Sequence, residues 1–235
     1  MLDIFKELKD NKYPGRGIIL GKSKDGESGV MAYFIMGRSE NSRNRVFAED
    51  GLGVKTQAFD ASKLTDPSLV IYSAVRVLGD CTIVTNGDQT DTIYDFLSGS
   101  ASFERALMTR TFEPDAPNFT PRISGLCAFG DGGMSIKMSI LKSTNEGAGV
   151  CRQFFCYDGL ENGQGYFIHT YKSDGSPLPS FEGEPKQVEI KEDLNEFSQN
   201  LWNALDDDNK VSLFVRFVNL KTGSASTKII NKLSK

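Results

Sequence analysis

The chain has 235 residues, a formal net charge of −4 and a pI of about 5.2, and an acidic surface argues against nucleic acid as the main partner. With 39% hydrophobic and 25% charged residues, a chain of this length buries a core without disulfides or metal. No 18-residue apolar run can span a membrane, the opening Met1-Leu2-Asp3-Ile4-Phe5-Lys6 has no apolar signal-peptide stretch, and four cysteines without a CxxC pair beside one histidine disfavour zinc and fit a reducing cytoplasm.

Leu2, Phe5 and Leu8 recur every third residue with charges between them, which predicts a short amphipathic helix over 3–11 that ends before Pro14. Apolar text predicts strands at 16–22, 30–37, 69–77 and 80–85, with hairpins at Lys24-Asp25-Gly26-Glu27 and Leu78-Gly79-Asp80. The period then changes. Ile93, Phe96 and Leu97, followed by Phe103, Ala106 and Leu107, predict two helices within 89–110, broken at Gly99-Ser100.

A second strand block is expected at 122–130, 133–142, 151–157, 164–171 and 185–190, punctuated by Asp131-Gly132, Asp158-Gly159 and Asp174-Gly175. Leu194, Phe197, Leu201 and Leu205 predict a helix over 192–205, and strands follow at 210–219 and 226–231. The longest irregular stretches are 40–53, 112–121 and 173–184. Without a linker or a change of composition, 1–235 reads as one domain. Long runs of consecutive strands favour an antiparallel α+β protein, with two stacked sheets covered by helices.

Polar groups collect at or just beyond strand ends, where a sheet presents them to a ligand. Residues 1–45 hold nine Lys/Arg against six Asp/Glu, a local excess suited to a small phosphorylated molecule. Gly21-Lys22-Ser23 is not a phosphate loop: the motif's first glycine would fall at Arg16, the intervening Ile18-Ile19-Leu20 is strand text, and no helix follows. By residue type alone, Arg38-Ser39 and Arg43-Asn44-Arg45 suit either a solvated loop or a bidentate anion site. Tyr72 suits a core tyrosine with a satisfied hydroxyl, Asn86-Gly87 a turn, and Glu113 an exposed loop. Cys81, Cys127 and Cys156 lie in or beside apolar strand text and read as buried free thiols. His169, within Tyr166-Phe167-Ile168-His169-Thr170-Tyr171, reads as structural.

Taken together, Arg16, Gly21-Lys22, Tyr33, Arg38-Ser39, Asn44-Arg45, Tyr72, Thr85-Asn86-Gly87, Phe112-Glu113 and Thr120-Pro121-Arg122-Ile123 resemble, in that order, the archaeal-type inosine monophosphate (IMP) cyclohydrolase family. The resemblance covers 13–123 most strongly and thins beyond about 172; the helix within 1–12 looks like an addition. It implies a four-layer αββα sandwich of two largely antiparallel sheets, like the N-terminal-nucleophile hydrolases but without self-processing. It also implies closure of 5-formamidoimidazole-4-carboxamide ribotide to IMP with loss of water, without cofactor or metal, in the cytoplasm. A homo-oligomer is compatible with it. Arg38, Tyr72 and Glu113 would then be catalytic. Arg16, Ser39, Asn44, Arg45, Thr85, Asn86, Gly87 and Arg122 would bind substrate. A nucleotide-binding protein without catalysis and an amidohydrolase of the same fold are the alternatives; the latter needs an exposed Cys, Ser or Thr as first residue, and this chain begins Met1-Leu2.

Overall fold

The structure, a computed structural model, describes residues 1–64, 67, 70–130, 133–191 and 193–233. In chain order the elements are α1 (Ile4–Asp10), β1 (Arg16–Lys22), β2 (Ser28–Met36), α2 (Glu40–Arg43), β3 (Arg45–Asp50), β4 (Gly53–Ala58), β5 (Ser73–Leu78), β6 (Cys81–Thr85), α3 (Gln89–Ser98), α4 (Phe103–Met108), β7 (Arg122–Gly130), β8 (Gly133–Thr144), β9 (Gly149–Tyr157), β10 (Gln164–His169), β11 (Lys186–Glu189), α5 (Leu194–Ala204), β12 (Lys210–Asn219) and β13 (Ala225–Asn231). The strands form two antiparallel sheets, ordered β11-β10-β1-β2-β12-β13 and β3-β4-β5-β6-β7-β8-β9.

Period-two alternation sorts the side chains into layers. Ile18, Leu20, Met31, Tyr33 and Ile35 of the first sheet meet Val54, Val75, Val84, Ile123 and Met138 of the second, forming the core between the sheets. The outer face of the first sheet, with Ile19, Ala32, Phe34 and Val215, is covered by Ile4 and Leu8 of α1 and Phe197 and Leu201 of α5. The outer face of the second, with Ile83, Leu126 and Leu141, lies under Ile93 of α3 and Phe103 and Leu107 of α4. Each large side chain buried in this way contributes about 1.5–3 kcal/mol relative to exposure.

The hairpins at 24–27 and 78–80 form as expected, with Lys22 opposite Gly29 and Leu78 opposite Cys81. The turn expected at Asp131-Gly132 and residue 69 of the third predicted strand lie outside the described residues. The stretch 40–53 is not irregular. It holds α2 and most of the β3–β4 hairpin, with Asp50 opposite Gly53. β3 is an edge strand, and the charges of Glu49 and Asp50 hide its alternation of Arg45 and Phe47 toward the interior. Only Cys127 is a buried thiol. Cys81 is half-buried and Cys156 exposed, because Cys156 sits on the edge strand β9 opposite Lys137.

The helix break is sharper than the sequence implies. Ser100, not Gly99, takes the left-handed conformation, at φ 61°. It closes the end of α3 through Ser100 N–H to Leu97 O and Ala101 N–H to Phe96 O.

Candidate active site

The same alternation that builds the core carries polar side chains into one end of the space between the sheets. Arg16 opens β1 on the face of Ile18 and Leu20, Arg45 opens β3 on the face of Phe47, and Tyr33 lies between Met31 and Ile35. Tyr72 immediately precedes β5. Gly15, at φ 79°, makes the turn into Arg16; a Cβ there would lie 2.2 Å from Thr170 Oγ1, so only glycine fits.

Arg16 and Arg45 carry charge into this chamber, and several of their buried N–H groups have no acceptor among the described residues. Arg45 is 1% exposed. Its Nε donates to Ser42 O at 2.9 Å, while both Nη atoms, and Nε of Arg16, are buried without a hydrogen-bond partner. Burial lowers the Arg45 pKa, and neighbouring Arg16 lowers it further. Burial also opposes the charge of Arg16, but Tyr171, Glu113, Tyr13 and Tyr72 outweigh it and hold the group protonated. Buried donors without acceptors are costly, and two guanidinium groups arranged in this way suit an anion.

The Tyr33 and Tyr72 hydroxyls are 2.7 Å apart and buried. Burial raises both phenol pKa values, although Arg45 and Arg16 pull that of Tyr72 back. Glu113, in the loop between α4 and β7, is 3% exposed. Its backbone is fixed by Glu113 N–H to Thr120 O at 2.9 Å. Burial lifts its carboxyl pKa to about 7, against the lowering pull of Arg16, Arg122 and Arg45. A carboxyl that titrates near neutrality serves general acid–base chemistry.

Arg122 acts on the same carboxyl through its charge. It shares the outer face of β7 with Ser124, and its Nη1 bonds Gln89 Oε1 at 2.7 Å and Asp88 Oδ1 at 2.6 Å. Asp88 thus holds Arg122 and Arg110 and makes no side-chain cap on α3. Gly87 fits into this corner: a Cβ there would stand 2.5 Å from Arg122 Nη1 and 3.4 Å from Glu113 Oε1.

Several of the expected binding residues hold backbone in place. Thr85 Oγ1 donates to Gly87 O at 2.8 Å and pairs with Thr90. The Asn86 amide is consumed by Pro121 O, Ile123 N–H and Gln89. Asn44 exchanges two hydrogen bonds with the backbone of Asp60, and Ser39 caps α2. Arg38 lies at the mouth, over the Tyr13 ring at 5.1 Å, with Nη1 on Asp174 Oδ1 at 2.6 Å and Gly175 O at 2.9 Å. His169 is buried against Phe167 and Phe181, with Nδ1 on Tyr171 O at 2.8 Å. Burial lowers its pKa to about 4, so the ring is neutral.

Sequence reasoning did not place Tyr33, Tyr13, Gln89, Asp115 or Tyr171 around the chamber. Tyr171 bonds Thr120 Oγ1 at 2.5 Å, which Asp115 also holds, and stacks on Tyr13 at 5.9 Å. Tyr33 belongs to the series that carries the family resemblance but has no site role in it; its facing with Met31 and Ile35 toward the strand-end arginines is the signal that could have assigned one.

The molecule is therefore a two-sheet α+β protein with a cationic cluster between its sheets that holds a neutral-range carboxyl and a tyrosine pair. The model of the family described as IMP cyclohydrolase-like protein matches residues 13–223, and the chain belongs to that family. It is 34% identical to an IMP cyclohydrolase of Methanopyrus kandleri over 116 residues, covering 48% of this chain and 57% of that protein. It is 28% identical to one of Methanosphaera stadtmanae over 166 residues, 68% and 74% of the two chains. For Methanothrix thermoacetophila the figures are 27% over 175 residues, 73% and 80%. The match spans little more than half the length of the Methanopyrus relative.

Proposed function

We propose that this protein closes 5-formamidoimidazole-4-carboxamide ribotide to IMP with loss of water. The observation that carries the reading is the placement of Glu113, with its pKa near 7, and Tyr72 beside the buried Arg45, whose two Nη atoms have no partner among the described residues, and the half-buried Arg16, whose Nε has none, in a chain of this family. The relatives' name supports the reaction.

The carboxamide nitrogen attacks the formyl carbon. The new N–C bond opens the C=O double bond, and negative charge develops on oxygen. Glu113 accepts a proton from the attacking nitrogen, and Tyr72 donates to the developing oxyanion. The oxygen leaves as water, taking up the two protons that the carboxamide and formamide nitrogens lose. Both reacting groups sit on one ring, so the protein's task is to hold the reactive rotamer and supply the proton path. Arg16 and Arg45 take the anionic part of the ribotide. Arg122, already paired with Asp88, orients Glu113. Arg38 acts from the mouth, polarising the formyl oxygen or carboxamide after it leaves Asp174.

The same proposal includes the finer fold assignment, an αββα sandwich of N-terminal-nucleophile-hydrolase type without processing. The helix–sheet–sheet–helix layering supports it. One domain over 1–235 is supported by the packing of α1 on α5 and the bridge from Leu2 to Val188. A cytoplasmic location is supported by the unpaired cysteines.

Ring closure followed by ultraviolet absorbance tests the reading. Formation of IMP by the wild type and its loss in Glu113→Gln is the expected result. A wild type that binds the ribotide without closing it leaves the nucleotide-binding alternative.

A further inference from the structure

The Tyr33 and Tyr72 hydroxyls are 2.7 Å apart, and their surroundings set which of them donates. Each hydroxyl carries one proton, and among the described residues each has a single partner, the other. One of the two must therefore aim its proton elsewhere. If Tyr72 donated to Tyr33, the Tyr33 proton would be left at the fully buried end of the pair. There Tyr33 is fully buried, its ring packs on Phe47 at 5.4 Å, and its hydroxyl feels only the Arg16 and Arg45 cations, with no second acceptor among the described residues. A buried donor left unpaired costs its full desolvation. If Tyr33 donates to Tyr72, the free proton belongs to Tyr72, which is slightly exposed and shares the chamber with Arg16, Arg45 and Glu113.

We propose that Tyr33 is a positioning residue: it donates its phenolic proton to the Tyr72 oxygen and so fixes Tyr72 as a hydrogen-bond donor toward the chamber. Arg16 and Arg45 act in the same direction, because cations beside the Tyr72 oxygen make its proton a better donor. The pair gives the chamber a donor whose orientation is set before substrate arrives. The catalytic part of this inference rests on the ring-closure reading; the proton direction does not.

The test therefore has two arms. In the first, 3,5-difluorotyrosine, whose phenol titrates near neutrality, replaces Tyr72 and is read by fluorine NMR in otherwise wild-type protein and in Tyr33→Phe. The charged groups facing position 72, Arg16 from β1, Arg45 from β3 and Glu113 from the α4–β7 loop, are the same in both. Loss of the Tyr33 donor should raise the midpoint by roughly half a unit to one unit. An unchanged or lower midpoint overturns the proposal.

In the second arm, Tyr33→Phe should lower ring-closure turnover about five- to tenfold with KM unchanged, and should cause no further loss in a Tyr72→Phe background. An equal loss in both backgrounds would mean that Tyr33 acts by packing alone and would sink the idea. A wild type without ring closure defeats the reaction proposed for the chamber, while the first arm still decides the proton direction.

Discussion

The two ends of the space between the sheets differ in a way that size alone would misjudge. At the hairpin tips the sheets part around a cleft of about 480 Å³, lined by Glu49, Leu52, Val77, Phe129, Arg216 and Val218. Its one arginine donates Nε to Thr227, rests over Phe214 at 5.2 Å and feels the Glu49 carboxylate. At the opposite end Arg16, Arg45, Tyr33, Tyr72 and Glu113 gather. There the Nη atoms of Arg45 and the Nε of Arg16 lack partners among the described residues, a glutamate titrates near 7, and two tyrosines hold each other. A cleft forms wherever hairpin tips splay. Unmatched buried charge forms only where something sustains it against its desolvation cost, and function is the usual reason.

The strongest way to break the comparison is to mutate both ends and measure turnover. Glu113→Gln keeps shape and should reduce ring closure by roughly 10²-fold or more. Glu49→Gln, at the open cleft, should leave it unchanged. Equal effects would abolish the distinction. Tyr72→Phe should cost roughly tenfold or more, through loss of one donor to the oxyanion.

Arg45→Met sharpens the comparison from the side of stability. It removes a buried charge whose Nη atoms have no partner, so the variant should be more stable than wild type by about 1–3 kcal/mol in urea unfolding. It should also lose ribotide binding. A destabilised variant would show that Arg45 is structural, held by its bond to Ser42 O.

How much of this was legible in the residues differs by level. Strands with clean alternation and Asp-Gly or Gly-Asp turns could be read directly, as in β1–β2 and β5–β6. The β3–β4 hairpin could not, because an edge strand exposes one face and carries charges that mask its period. At the site, the strand-end positions of Arg16, Arg45 and Arg122 were visible. The face each uses was not: Arg16 and Arg45 point between the sheets and Arg122 comes round from the helix side. Nor could the sequence show that Thr85, Asn86 and Asn44 direct their hydrogen bonds to neighbouring backbone. Glu113 reads as an exposed loop residue until the 112–121 segment is seen folded inward by Thr120 O and by the bond from Thr120 to Asp115.

Stability against pH separates the chamber from the apolar packing beside it. His169 has a folded pKa of about 4 against 6.5. The unfolded chain therefore binds more protons between those values, and the stabilisation is present above 6.5 and lost as pH falls toward 4, about 3 kcal/mol in all. Glu113 has a folded pKa of about 7 against 4.5. The folded chain binds the extra proton, and stability falls as pH rises from 4.5 to 7. The two slopes oppose each other between 4.5 and 6.5. Urea titrations across that range should therefore show Glu113→Gln gaining stability relative to wild type as pH rises. Parallel curves would remove the assigned Glu113 shift.

The smallest effect lies outside both ends. Ser100→Gly relieves a left-handed serine at the end of α3 and should add about 1 kcal/mol, raising Tm by about 2–4 °C. Turnover should not move, which separates fold repair from chamber chemistry.

The central claim is that the cationic end performs the proton transfer through Glu113, and the pH profile of kcat/KM for ring closure tests it most directly. The wild type should rise with pH along an acid limb of apparent pKa near 7, as Glu113 becomes the base. In Glu113→Gln that limb should vanish, leaving only what the substrate's own phosphate contributes. The same limb in both proteins, at comparable rates, would contradict the assignment.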